Sequence, residues 1–240
     1  MDEKDAEMYK DEEIYSKEKR DLNLALQNSQ MKWIFFLMVG LIIIIVGIPF
    51  IITNFINNFD YQGLTFQKTK LGDLTFYSTQ FPVMGPTGNA VGTYEVNLRN
   101  DPRDLAKIPV TTRDNKIYFA IDRNKYGTAY ISLNPFMEMC EGDTVIAMAT
   151  LSGFLKDSGF AVVPAYTDKA YAAQHGALSR WCHDDGFDTV FVVTDGNETA
   201  INELGPSCYE LQFKNCEVID VSERVILSVL EEYARKYSLQ

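Results

Sequence analysis

Histidine is nearly absent: His175 and His183 are the only two in 240 residues. A catalytic relay or metal centre built on imidazoles therefore has little to draw on. Positive charge is also short, with 22 Lys and Arg against 33 Asp and Glu and a formal charge of −11. That balance excludes the basic footprint of a nucleic-acid binder and reads as an acidic, soluble exterior. Cysteine is missing before Cys140 and then occurs four times, at Cys140, Cys182, Cys208 and Cys216. No G-x-S-x-G, G-x-x-x-x-G-K-[ST] or H-E-x-x-H occurs, and no G-x-G-x-x-G follows a strand pattern. Finally, no charged side chain occurs from Trp33 to Phe59.

What fills that uncharged stretch is apolar. Trp33 to Thr53 (WIFFLMVGLIIIIVGIPFIIT) supplies 21 residues, and a bilayer core of ~30 Å needs about 20 in helical form. A buried core helix would keep polar residues on some face. A signal peptide has an apolar region of roughly 7–15 residues and a small-residue cleavage site, whereas this run is longer and ends in Asn-Phe-Ile-Asn-Asn-Phe. Residues 33–53 are thus expected to be a retained transmembrane helix in the lipid bilayer. Trp33, Phe50, Phe55 and Tyr61 suit its interfaces. Gly40 and Gly47 share a face without forming G-x-x-x-G.

Lys17, Lys19, Arg20 and Lys32 lie on the N-terminal side, while the first cations beyond the span are Lys68 and Lys70. The positive-inside rule then places the N-terminus in the cytoplasm and the C-terminal domain outside. An even number of cysteines confined to that domain reads as disulfides in an oxidising compartment. Both signals predict a single-pass protein of the cell membrane with an extracytoplasmic domain. Residues 1–32 form a charged tail too short to fold alone, and residues 54–60 a juxtamembrane linker.

Beyond the linker the apolar period is two. Leu64/Phe66, Leu74/Phe76, Tyr94/Val96/Leu98 and Ile117/Phe119/Ile121 alternate with polar residues, which predicts half-buried antiparallel strands and a β subdomain over 61–127. From residue 128 strands and helices alternate. Ala129–Leu133 reads as a strand, Thr144 to Lys156 as a helix capped by Asp143 and stopped at Gly159, and Phe160–Ala165 as a strand buried on both faces. Asp168 caps a helix from Lys169 to Trp181. Asp188–Thr194 is a second doubly buried strand, and Thr199–Leu204 and Tyr209–Phe213 follow. Asp220 with Glu223 resembles a capping box opening a last helix to Tyr237. The fold class is α/β (α+β overall): an anchor helix, a small antiparallel sheet, and a three-layer α/β domain over 128–240 with a largely parallel sheet.

Element order restricts the disulfides. Cys140 and Cys216 each follow a strand and precede a helix, at the carboxyl edge of the sheet. Cys182 and Cys208 precede strands, at the opposite edge. Bridged Cα atoms lie within about 7 Å, so the expected pairs are Cys140–Cys216 and Cys182–Cys208.

Ligands in open α/β sheets usually bind at carboxyl-edge loops, which here hold Asn134, Tyr166, Thr167, Asp168, Thr194, Asp195 and Asn197. Asp168 as a simple helix cap is the plainer reading. Arg99 and Arg103, in LRNDPR, could meet a partner, although Asn-Asp-Pro is also a good turn. His175 falls within a helix pattern. Cys182-His183-Asp184-Asp185 gathers a thiol, an imidazole and two carboxylates, but adjacent residues rarely converge on one ion. No catalytic residue, metal ligand or cofactor is assigned. Asn197-Glu198-Thr199 is a candidate glycosylation acceptor.

The run from LRNDPRDLAKIPV through YELQFKNC to SERVILSVLEEY resembles uncharacterised single-pass proteins of archaeal genomes, with an N-terminal anchor and a cysteine-containing C-terminal domain. The resemblance implies an archaeal-type cell surface and carries over no functional residue. The expected function is a membrane-anchored extracytoplasmic binding or interaction module with a protein partner at the cell surface. The alternatives are a tethered hydrolase or transferase using Asp168, Asp195 or His183, and a structural subunit of an envelope or secretion assembly. Peptide mapping without reduction should recover Cys140 joined to Cys216 and Cys182 joined to Cys208; a Cys208–Cys216 peptide would overturn the strand placed between them.

Overall fold

A computed structural model describes residues 31–51, 57–84, 90–119, 121–122, 125–182 and 188–237. The charged tail up to residue 30, residues 52–56 at the end of the apolar run and the start of the linker, the Gly-Pro loop after Met84, and His183, Asp184 and Asp185 lie outside the described residues. The chain divides into two compact units, one through Asn57 and one from Asn58 onward. In the first, helix α1 (Met31–Ile51) has 21 residues, long and apolar enough to cross a bilayer, with no part of its apolar window buried.

The second unit opens with an antiparallel meander, β1 (Asn58–Tyr61), β2 (Leu64–Leu71), β3 (Leu74–Met84) and β4 (Ala90–Leu98), in spatial order 1-2-3-4. Its alternation holds in β2 and β4, where Leu64, Phe66, Val96 and Leu98 are buried. In β3 the face is the opposite of that expected. Tyr77 and Thr79 are buried, whereas Leu74 is exposed and Phe76 lies with Leu71, Thr65, Gln67, Ser78 and Glu95 along an open concavity on the other face. The register with β2 and β4 is the reason, since it sets Tyr77 opposite Leu98 and Thr79 opposite Phe66 and Val96.

A six-stranded sheet follows, built from β5 (Val110–Thr111), β8 (Thr128–Leu133), β9 (Ala161–Tyr166), β10 (Thr189–Asp195), β11 (Ala200–Gly205) and β12 (Cys208–Phe213), in order β5-β11-β12-β10-β8-β9. The two-residue strands β6 (Ile121–Asp122) and β7 (Lys125–Tyr126) pair only with each other. All neighbours in the large sheet are parallel except β11 and β12. Helices α3 (Asp143–Asp157) and α5 (Val218–Tyr237) pack together on this sheet. One apolar cluster runs from Phe66 and Leu98 of the meander through Leu151 and Phe154 of α3 and Ile226 and Leu230 of α5 to Phe191 and Leu211 of the large sheet. The meander and the α/β part therefore share a core, and β5 belongs to the larger sheet. A smaller cluster of Val190, Val192 and Cys208, with Tyr130 and Cys182 against it, is separate from that core.

Several local expectations change. Residues 116–119 are irregular instead of a strand, because the Tyr209 hydroxyl takes the place of a neighbouring strand. It accepts from the Tyr118 N–H at 2.6 Å and donates to the Tyr118 carbonyl at 3.0 Å. The strand after Phe160 is not buried on both faces: Ala161 and Pro164 are exposed, since β9 lies at the sheet edge, where a residue without an N–H is tolerated. Gly142, at φ 101°, is the cap of α3, and Asp143 is its first residue. The alanine-rich helix, α4 (Lys169–Gln174), has six residues and ends where Gly176 adopts φ 63°. Helix α5 begins at Val218, so Asp220 lies inside its first turn and is not a cap.

The disulfides join Cys140 to Cys216 and Cys182 to Cys208, with Cα separations of 5.4 and 5.5 Å. They close segments of 76 and 26 residues. The chain-entropy relation gives about 4.5 and about 3.5 kcal/mol of stabilisation for those loop lengths. Replacing both cysteines of a pair by serine should lower the urea midpoint in each case, more for Cys140/Cys216; the reverse order would show that loop closure is not the governing term.

Candidate functional site

The carboxyl edge of the large sheet is a topological switch point, because β9 and β10 lie on opposite sides of β8. Leu133, Tyr166 and Val193 are in register across it. Backbone bonds extend the rung by one residue: the Asn134 N–H donates to Val193 O at 2.9 Å and the Thr167 N–H to Leu133 O at 3.0 Å. Crevices of this kind are the usual ligand position in open α/β sheets.

A hollow of about 480 Å³ opens here between α3 and the ends of β8 and β9. Its wall is largely apolar and sulfur-rich, with Leu133, Met137, Met139, Val145, Met148, Tyr166 and Tyr171, and Asn134, Thr144 and Ser152 as polar members. A second hollow of about 350 Å³ runs on beside Ile131, Val162 and Pro164 and shares Leu133, Met148 and Ser152 with the first. The two form one groove beside edge strand β9. Phe136, Met139 and Val145 are 75%, 77% and 69% exposed at or near its mouth. Phe136 and Tyr166 both meet the Tyr171 ring edge-on, at 6.1 and 5.0 Å, and His175 stacks on that ring at 4.0 Å. The Thr144 Oγ1, buried in the first turn of α3, has no hydrogen-bond partner among the described residues.

The polar residues expected at this edge are occupied by structure. Asp168 accepts the Tyr171 N–H at 2.7 Å and caps α4. Asn134 donates to Thr194 Oγ1 at 3.0 Å and accepts the Phe136 N–H at 3.0 Å. Asp195 accepts the Glu138 N–H at 3.2 Å. His175 takes up Tyr171 O through Nδ1 at 2.9 Å, and Asn197 is exposed in the turn after β10. Of the expected residues, Asn134 and Tyr166 line the groove.

No protein-family model, curated protein or solved structure matches this chain. Its chemistry is therefore read from its own side chains. Among the described residues no group of three or more His, Cys, Asp or Glu is arranged to hold a metal ion.

Arg99 and Arg103 lie away from the groove lining, in the corner between β4 and helix α2 (Pro102–Leu105). Asp101 caps α2, accepting the Arg103 N–H at 2.9 Å and pairing with its guanidinium, whose hydrogen bond holds the carboxyl below the usual range. The same guanidinium lies 4.3 Å from the centre of the Phe59 ring. Arg99 and Asn100 present their N–H groups to Glu223, at 2.7 and 3.0 Å, and Asn100 Nδ2 adds a third bond at 3.1 Å. Glu223 is 1% exposed. Burial raises its pKa from an ordinary 4.5 to about 7, against the lowering by these donors and together with repulsion from Asp220. It is thus a tertiary anchor for the β4–α2 corner, not the second half of a capping box. In sequence it stands on a helix at capping-box spacing, and only its partners 124 residues away reveal its role.

The sign of its linkage is set by that upward shift. The folded state holds the Glu223 proton more tightly, so the contribution is full below pH 4.5 and lost as pH rises through about 7. Its size is on the order of 3 kcal/mol at 1.36 kcal/mol per pH unit. Urea denaturation of the wild type should gain stability between pH 8 and pH 5 relative to Glu223→Gln; parallel curves for the two proteins would remove Glu223 as the cause. Glu223→Ala should cost a few kcal/mol at either pH, because it leaves three half-buried donors without their acceptor.

Proposed function

We propose that this chain is a membrane-anchored extracytoplasmic binding module, with its N-terminus in the cytoplasm and its ligand seated in the carboxyl-edge groove. The observation that carries this reading is the groove itself: an apolar, methionine- and tyrosine-walled hollow at the carboxyl edge beside β8 and β9, with large apolar side chains left exposed in and beside it. Thioether side chains are flexible and polarisable, and suit a surface that adapts to what it binds. The apolar run of α1 and the two disulfides support the topology. Hydrolase or transferase chemistry has weaker support. Neither Asp168 nor Asp195 lines the groove, and each carboxylate accepts a backbone N–H.

Two measurements test the reading. Protease added to intact cells should remove the C-terminal domain and spare an N-terminal tag; loss of the tag would reverse the topology. The full chain in lipid nanodiscs should bind an apolar fluorescent probe saturably, and Val145→Glu, in the hollow's wall at an exposed position, should weaken that binding at least about tenfold with little change in melting temperature. Unaltered probe binding in Val145→Glu would remove the groove as the site.

A further inference from the structure

We propose that the groove holds an extended polypeptide segment of a partner protein: a large apolar side chain enters between Met148 and Tyr171, and lysines or arginines beside it meet an acidic mouth. The inference rests on the binding-module reading and names the partner's chemistry. Shape, lining and charge each argue for it.

The two hollows are joined end to end through Leu133, Met148 and Ser152 and run beside edge strand β9. A compact small molecule fills one of them, whereas an extended chain follows both, placing alternate side chains along the groove. Met139 and Val145 in the hollow's wall are largely exposed, and Phe136 adds apolar area outside the hollow itself, where the flank of a chain would lie.

Charge selects the kind of chain. The connections leaving β8, β9 and β10 at this edge contribute Glu138, Glu141, Asp143, Asp168, Asp195 and Glu198 against Lys169, with one further cation, Lys156, in the lining of the second hollow. Glu138, Glu141, Asp195 and Glu198 are exposed. Each surface pair is worth little alone, but a field of one sign steers and selects a partner of the other. It also disfavours the rival occupants. A second copy would bring the same carboxylates, and a two-fold contact would set them against each other. Anionic lipid headgroups would meet the same repulsion.

The test uses the full chain in nanodiscs of zwitterionic lipid and three fluorescent peptides of about ten residues, a span of about 33 Å when extended. One has a Phe-Leu core flanked by lysines, one the same core flanked by glutamates, and one lysine flanks around a serine core. Fluorescence anisotropy should show saturable binding of the first and at least about tenfold weaker binding of the other two. Raising salt from about 50 to about 500 mM should weaken the first several-fold. Val145→Lys, at an exposed position, and the pair Glu138→Lys with Glu141→Lys should each weaken it without lowering the melting temperature.

Equal binding of the lysine- and glutamate-flanked apolar peptides, lost in Val145→Lys, would overturn the partner chemistry and leave the groove as a binding site. Binding indifferent to Val145→Lys, or no peptide binding at all, would overturn the proposal; the apolar probe then reports separately whether the groove binds anything. Self-association abolished by Val145→Lys would make a second copy the occupant and overturn it as well.

Discussion

The fold depends on burying one helix on all sides. From Val221 to Ser228 every residue of α5 is buried, so it must be covered by more than the one sheet that an ordinary amphipathic helix needs. The large sheet and α3 supply part of the cover, and the meander and the β4–α2 corner supply more. That buried stretch carries Ser222, Glu223, Arg224 and Ser228, and each must find a partner. The serines bond back to Ile219 O and Arg224 O. Glu223 takes the Arg99–Asn100 corner, and Arg224 takes Ile108 O and Glu231. Tyr61 and Tyr233 add bonds from the meander to Glu231 and from α5 to Pro82 O. Apolar contact alone would let a sheet slide on a helix; these directional bonds fix one docking position.

Cys140–Cys216 ties the connection leaving β8 to the connection entering α5, while Cys182–Cys208 lies at the far edge. The β8–α3 connection that carries Phe136 and Met139 is therefore tethered at its end. Exposed apolar side chains on a tethered segment lose less freedom when a ligand arrives, which favours binding. Of the groove residues on α3, Val145 is exposed, whereas Met148 borders the core stripe of Leu151 and Leu155 and packs against it.

Strand and helix patterns were legible wherever one local signal decided the outcome. The alternation of Leu64/Phe66 and Val96/Leu98, the apolar run of β10, the cap at Asp168 and the stop at Gly159 all stand as their local chemistry requires. Reading failed where a distant partner intervened. Ile117–Phe119 alternates like a strand, yet its neighbour is the Tyr209 hydroxyl. The run before Tyr166 is apolar enough for the sheet centre, yet sheet order leaves it at the edge. Asp220 and Glu223 have capping-box spacing, yet α5 starts two residues earlier. The groove itself was half legible: the carboxyl-edge loops pointed to Asn134 and Tyr166, but Met137, Met148 and Tyr171 carried no signal until α3 and α4 were set beside the strands.

Residue content along the chain was by itself enough to determine the apolar span, the acidic character, the alternation of elements and even the disulfide pairing, because each follows from local periodicity or from which edge of a sheet a residue must occupy. Only the tertiary structure decided that the meander and the α/β part share one core around α5, that Glu223 is an anchor with a raised pKa, and that an apolar groove opens beside the carboxyl ends of β8 and β9. Those outcomes depend on contacts between residues far apart in the chain, and burial, which sets both the pKa of an acid and the exposure of a methionine, is a property of the assembled layers.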